Sequence, residues 1–222
     1  MDAEPTRTLL DALLSAWTLT SPAEVVAVVF GIAYLLLAVR QHIACWYAAL
    51  ISTGVSIYLF WNVALLMESA LNVFYVVMAC YGWYQWQYGR GTEAAAGPGE
   101  PGAIAQRPLP VSRWTVRQHA LALIAVVSAA AVSGTLLQHN TGAAFPYLDS
   151  FTTWGSVLAT YMVARKILEN WLYWIVIDGL SIILYWDRAL YLYAILFACY
   201  LVIAVFGYLR WRQELPSGLP AG

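Results

Sequence analysis

Charge is scarce in this sequence. Asp, Glu, Lys and Arg make up 10% of its 222 residues, where a soluble domain carries about 25%. That shortage excludes an ordinary water-facing surface and places the chain in the membrane class. The formal net charge is −1, so the basic excess that nucleic acid demands is missing. Cysteine is scarce too. Cys45, Cys80 and Cys199 each sit inside an apolar run. Without CxxC or Cys/His spacing they offer no zinc or thiol-redox motif and read as small apolar residues. No Walker sequence occurs, so ATP hydrolysis by this chain is not expected. No metal or cofactor motif is present, and none is expected. Residues 1–20 contain Asp2, Glu4 and Asp11 and lack the long apolar stretch of a cleavable signal peptide.

What is abundant is apolar: 62% of residues. Runs at 23–39, 43–61, 69–88, 118–137, 150–164, 171–186 and 190–209 approach the roughly 20 residues a membrane-spanning helix needs. The second, fifth and sixth are short or carry polar residues, as expected of helices with one face on a cavity. Before them, Leu9, Leu10, Leu13, Leu14 and Trp17 share one helix face, which predicts an interfacial amphipathic helix over 1–22. Residues 89–117 are rich in Gly, Pro and Ala and read as a flexible linker between three spans and four.

Seven crossings sort the cations. Arg40, Arg90, Arg107, Arg113, Arg117, Arg165, Lys166, Arg210 and Arg212 fall on one side, and Arg7 and Arg188 on the other. The positive-inside rule makes the first side cytoplasmic, with the linker and the 212–222 tail on it.

A repeat lies at an offset of 125 residues. Laying 40–86 over 165–211 without a gap pairs Arg40 with Arg165, Trp46 with Trp171, Gly54 with Gly179, Tyr75 with Tyr200, Gly82 with Gly207 and Trp86 with Trp211. Identities number 15 of 47, against roughly a tenth by chance in so biased a composition. Spans one to three (23–88) and five to seven (150–211) are therefore read as two copies of a three-helix unit, with the 118–137 helix connecting them. The odd number of spans in each copy, plus the connecting helix, makes the copies parallel. The expected fold is all-α and integral to the membrane, with seven transmembrane helices as 3+1+3 parallel repeats. The SWEET sugar transporters are built this way, and such folds hold their substrate between the repeats near the midplane. The paired glycines are expected to allow close helix approach.

The polar residues inside the spans give the site its character. A charge at a helix centre costs about 2.5–3.5 kcal/mol on insertion scales, so Asp178 in span six needs a reason. Trp171, Trp174 and Tyr185 share one helix face with it. Glu68, Asn72 and Tyr75 share a face of span three, and the second copy offers Tyr193, Phe197 and Tyr200 at the matching positions. Aromatic rings stack on a planar heterocycle and attract a cation. Asn and Asp hydrogen-bond sugar hydroxyls. No Lys or Arg lies near the expected midplane, so the set favours a cationic or neutral aromatic solute over an anion. Trp171 and Trp174 serve either to stack on a ligand or to pack the core, and Glu68 lies either in the pocket or at its rim. Trp86 and Trp211 are expected in an aromatic belt at the cytoplasmic boundary. His42, His119 and His139 fall at span ends and form no ligand cluster. A membrane enzyme would need a nucleophile–base pair or metal ligands, and neither is found. A membrane sensor remains the reading from another class.

The stretches ESALNVFYVVMACYGWYQW, ENWLYWIVIDGLSIILYW and YLYAILFACY resemble the PnuC vitamin transporters of bacteria. The resemblance covers roughly residues 24–211, the linker excepted, and rests on paired N-x-x-Y, G-W-x-x-W and W-x-x-W-x-x-x-D patterns. It implies uptake of nicotinamide riboside across the inner membrane by facilitated diffusion, trapping by cytoplasmic phosphorylation, and a homotrimer. Relatives in that family carry thiamine or riboflavin. The positions carried over are Asn72, Tyr75, Trp171, Trp174 and Asp178.

Overall fold

The computed structural model describes residues 21–62, 66–89, 109–140, 145–187 and 191–215, without the side chains of 66–68, 70, 192 and 193. The interfacial helix expected over 1–22 lies outside these residues, save its last two. Among the described residues the regular elements are seven helices: α1 (Pro22–Val39), α2 (Cys45–Asn62), α3 (Leu66–Tyr88), α4 (Val116–Asn140), α5 (Pro146–Ala164), α6 (Asn170–Asp187) and α7 (Tyr191–Gln213). Their order follows the seven apolar runs. Among the described residues, length and composition alone qualify three stretches to cross a membrane: Pro22–Val39, Val116–Asn140 and Ala194–Gln213. Helices α2, α3, α5 and α6 carry the polar residues that keep them below that mark.

Local sequence explains the helix ends. Ser21 accepts from the Glu24 N–H at 3.2 Å, and the Ser21 N–H donates to the Glu24 carboxylate at 2.7 Å. This capping box, with Pro22 in the first turn, starts α1. Helix α5 likewise starts on Pro146. The ends of α1 and α5 match bond for bond. Gln41 N–H reaches Ala38 O at 2.9 Å and His42 N–H reaches Leu37 O at 2.9 Å. At 125 residues further on, Lys166 N–H reaches Val163 O at 3.0 Å and Ile167 N–H reaches Met162 O at 2.9 Å. Both are Schellman turns. The left-handed position, usually glycine, is filled by Gln41 (φ 53°) and Lys166 (φ 51°). A side chain there costs roughly 1–2 kcal/mol, and these two side chains meet. Lys166 Nζ donates to Gln41 Oε1 at 3.0 Å and lies 4.6 Å from the centre of the Trp86 ring. Gln41 Nε2 donates in turn to Glu214 at 2.7 Å. Lys166 is 5% exposed. Burial pushes its ammonium below the ordinary lysine range, against the opposing pull of Glu214.

Helices α1–α3 pack in sequence, as do α5–α7, and the two sets meet where α1 touches α7 and α3 touches α5. Helix α4 packs on α5. The core of the joint is four tryptophans. Trp46 and Trp86 meet edge-on at 5.2 Å, Trp171 and Trp211 edge-on at 5.4 Å, and Trp86 and Trp211 meet at 6.1 Å. Two indole bonds cross between the sets: Trp86 Nε1 to Val163 O at 3.2 Å, and Trp211 Nε1 to Ala38 O at 3.1 Å. The aromatic-belt expectation for Trp86 and Trp211 is thus overturned. Both are buried, because each indole N–H has a carbonyl partner on the opposite set and needs no interfacial water.

The paired glycines divide. A Cβ on Gly82 would collide with the Trp46 ring, and one on Gly207 would sit 2.6 Å from the Trp171 ring. Gly54 and Gly179 make no such approach: a Cβ would meet open space at Gly54 and only Leu201, at 3.9 Å, at Gly179. The expectation of close approach therefore fails for those two, and holds for the pair that face tryptophans. Trp171 is wedged by Trp211 and has little room to retreat. Gly207→Ala should cost about 1–3 kcal/mol of stability by overpacking, as should Gly82→Ala. Thermal unfolding in detergent checks this, with Gly54→Ala expected to change little.

The linker also departs from its reading as flexible throughout. Its last residues are docked: Ser112 forms an isolated parallel bridge with Ile167, and Leu109 and Val111 join the tryptophan core. A composition rich in Gly and Pro does not reveal the two apolar side chains that anchor the segment.

Candidate functional site

Asp178 is the ninth residue of the 18-residue α6, at its centre. It is 3% exposed. Among the described residues its carboxylate has no ion pair and no hydrogen-bond donor. Tyr200, half-buried on α7, lies within electrostatic reach of it. The Tyr200 hydroxyl also approaches α1, where a Cβ on Gly31 would stand 3.9 Å from it and 3.3 Å from Ser52 Oγ. The carboxylate is thereby associated with the seam where α7 meets α1. Thr53, the residue at the matching position of α2, spends its hydroxyl on its own helix, donating to Ala49 O at 2.7 Å. The charge belongs to one set alone.

The aromatic residues gather around this seam in two groups. Tyr185 of α6 packs against Phe197 at 5.2 Å, and Phe197 meets Tyr200 edge-on at 5.6 Å. Tyr75 of α3 is half-buried beside Phe74 at 5.7 Å and within electrostatic reach of Tyr34 of α1. Asn72 is half-buried one turn before Tyr75. Tyr34 was not singled out from the sequence. It lies before the repeat begins to match, and its position 125 residues on is Ala159, so pairing offered no signal.

The residues of the α6 face separate by depth. With a rise of 1.5 Å per residue, Trp171 stands about 10 Å along the helix from Asp178. Trp171 is 1% exposed, enclosed by Gly207 and Trp211. In this conformation it packs the core, and its Nε1–H has no acceptor among the described residues. Trp174, one turn nearer to Asp178, is half-buried against that core. The side chains of Glu68 and Tyr193 lie outside those described. The described members of the expected set come from different helices. Asp178, Tyr200 and Tyr185 are linked through α6 and α7, Asn72 and Tyr75 lie on α3, and Trp171 closes the end of the bundle.

A separate groove of about 450 Å³ runs between α3, α4 and α5, lined by Phe74, Met78, Ala125, Val126, Trp154 and Tyr161 among others. Its lining carries no charged group, so it suits acyl chains rather than a polar solute.

The chain is similar to known proteins. Residues 21–213 match the family described as nicotinamide mononucleotide transporter. The nicotinamide riboside transporter PnuC of Neisseria mucosa is 28% identical over 200 residues, covering 85% of this chain and 71% of that protein. PnuC of Escherichia coli is 24% identical over 205 residues, covering 85% and 84%. The riboflavin/roseoflavin transporter RibM of Streptomyces davaonensis is 25% identical over 206 residues, covering 90% and 92%. A crystal structure of the vitamin B3 transporter PnuC superposes with a TM-score of 0.68 at 26% identity, covering 93% of this chain and 87% of that one. With a family match over nearly all its helices, an all-helical fold and apolar spans, the chain is a multi-pass bacterial membrane protein belonging to the PnuC family of nicotinamide mononucleotide transporters.

Proposed function

We propose that this chain takes up nicotinamide riboside across the bacterial inner membrane by facilitated diffusion, without covalent chemistry. The observation that carries the proposal is the buried carboxylate of Asp178 at mid-helix, with no cation beside it among the described residues. A buried charge calls for an opposite charge, and a pyridinium riboside supplies one together with an aromatic face for Tyr75, Tyr185 and Tyr200 and hydroxyls for Asn72. Glu68, Tyr193, Trp174 and Trp171 complete the proposed site, Trp171 by closing its linker-side end. The two PnuC relatives, named as riboside transporters, support the same reading.

The family description names the mononucleotide instead, and the charges bear on that choice. The added phosphate brings about two negative charges into a region whose fixed charge is negative. Lys166 is buried at the end of the bundle and already engaged with Gln41. Desolvating a phosphate without a partner costs several kcal/mol. Nicotinamide mononucleotide should accordingly compete at least about 100-fold less well than the riboside. Uptake of labelled riboside into proteoliposomes, with unlabelled competitors, is the measurement. Absence of saturable riboside uptake, or equal competition by the mononucleotide, would remove the proposal.

The proposed architecture is SWEET-like, 3+1+3, with parallel repeats related by an axis along the membrane normal and the site between them. Matching contacts at the 125-residue offset support it: the Schellman turns, the crossing indoles and the glycine–tryptophan pairs. Alternating access then consists of rocking α1–α3 against α5–α7. The cation asymmetry supports a cytoplasmic linker and a cytoplasmic tail after α7. The homotrimer rests on family resemblance.

RibM favours a second reading, riboflavin. Riboflavin is uncharged, so replacing Asp178 separates the two: a riboflavin carrier loses far less affinity than a carrier of a cation. Thiamine and simple sugars belong in the same competition series.

A further inference from the structure

The end of the linker is built into the seam it follows. Ser112 N–H donates to Lys166 O at 3.0 Å, and Leu168 N–H donates to Ser112 O at 2.9 Å. Glu169, 8% exposed, accepts from Arg113 Nε at 2.9 Å and from the Trp114 N–H at 3.3 Å. Leu109 and Val111 are buried in the same cluster as Trp86 of α3 and Trp211 of α7. These residues therefore grip the 165–169 loop of the second set while their apolar side chains join a core shared with the first. The chain arriving at Leu109 comes from α3 of the first set, so the segment connects both halves.

The gripped loop is also the one that reaches across. Lys166, whose carbonyl binds Ser112, is the residue whose ammonium holds Gln41. Parting the two sets at this end breaks that contact and the two crossing indole bonds, and removes the buried surface on which Leu109 and Val111 sit. We propose that residues 109–115 form a strap that holds this end of the bundle shut, and that its release is coupled to opening of the path on the linker side. The role in transport rests on the function proposed above; the mechanical coupling does not.

Cys45 is a native reporter. It opens α2, is fully buried in the tryptophan cluster and lies within electrostatic reach of Lys166. Cys80 and Cys199 are exposed and are replaced by Ala for the experiment. Labelling of Cys45 by a water-soluble maleimide then reports opening of this end in the full-length protein. Ser112→Pro removes the donor to Lys166 O, and Val111→Asp puts a carboxylate into the buried cluster without touching those backbone bonds. Either change should accelerate labelling about five- to thirtyfold, the factor set by losing one or two ordinary interactions. Ser133→Ala, which removes the bond from Trp154 Nε1 between α4 and α5, should leave the rate unchanged.

An unchanged rate in both strap variants overturns the strap, as does equal acceleration by Ser133→Ala. If Ser112→Pro does not fold, Val111→Asp decides. Riboside flux is measured on the same samples. Faster labelling without flux in any variant, the parent included, supports the strap and rejects the transport reading instead.

Discussion

Asp178→Asn should abolish productive riboside uptake while leaving the fold at least as stable. The two effects have opposite signs because the carboxylate has no compensating partner among the described residues. A charge held at a helix centre costs about 2.5–3.5 kcal/mol on insertion scales. An amide of the same shape removes most of that cost, so the melting temperature should hold or rise. Binding of a cation goes the other way. Removing one member of a buried charge pair costs about 2–5 kcal/mol, or roughly 30-fold to a few thousandfold in affinity. Calorimetric titration with riboside, uptake into proteoliposomes and thermal unfolding measured on one preparation check both halves. A fall in stability with binding retained would mean that the carboxylate holds the helices together and does not hold the solute.

Trp211→Ala should have the largest structural effect of any single truncation at the joint. Its side chain is fully buried, touches Trp86 and Trp171, and donates across the joint to Ala38 O. Truncating a buried tryptophan costs about 3–5 kcal/mol in soluble cores. Lipid is itself apolar, so within a bilayer the loss comes mainly from the cavity and the vanished contacts. Trp86→Ala should behave alike, since it loses the matching bond to Val163 O. The double variant should cost less than the sum, because the two rings touch each other and share one cavity. Thermal unfolding of the two singles and the double measures this coupling. Trp154→Ala is the comparison, being 40% exposed and outside the four-tryptophan core. If Trp211→Ala costs no more than Trp154→Ala, the four-tryptophan core does not hold the halves together.

Sequence patterns reached some of these features and missed others for identifiable reasons. The seven helices of the described residues were legible because each coincides with a long apolar run. The matching halves were legible because paired Trp and Gly survive an ungapped overlay where paired Leu means little. Asp178 stood out because a charge inside such a run is costly. The fate of the tryptophans was not legible. An indole one turn from a helix end suits a water interface or a buried carbonyl equally well. Only the carbonyls of Ala38 and Val163, 173 and 77 residues away along the chain, decide between them. Gly54 and Gly207 look alike in sequence, and only the neighbouring ring distinguishes them.

The sequence by itself determined the membrane class, the helix order, the 125-residue offset and the carboxylate in α6, because each depends on local composition or on comparison of the chain with itself. Tertiary structure alone decided which aromatics pack and which are left near Asp178. It also brought Lys166 to Gln41 and docked residues 109–115 on the loop that carries Lys166. Those outcomes depend on contacts between residues distant in the chain, whose partners no local pattern of apolar and polar residues specifies.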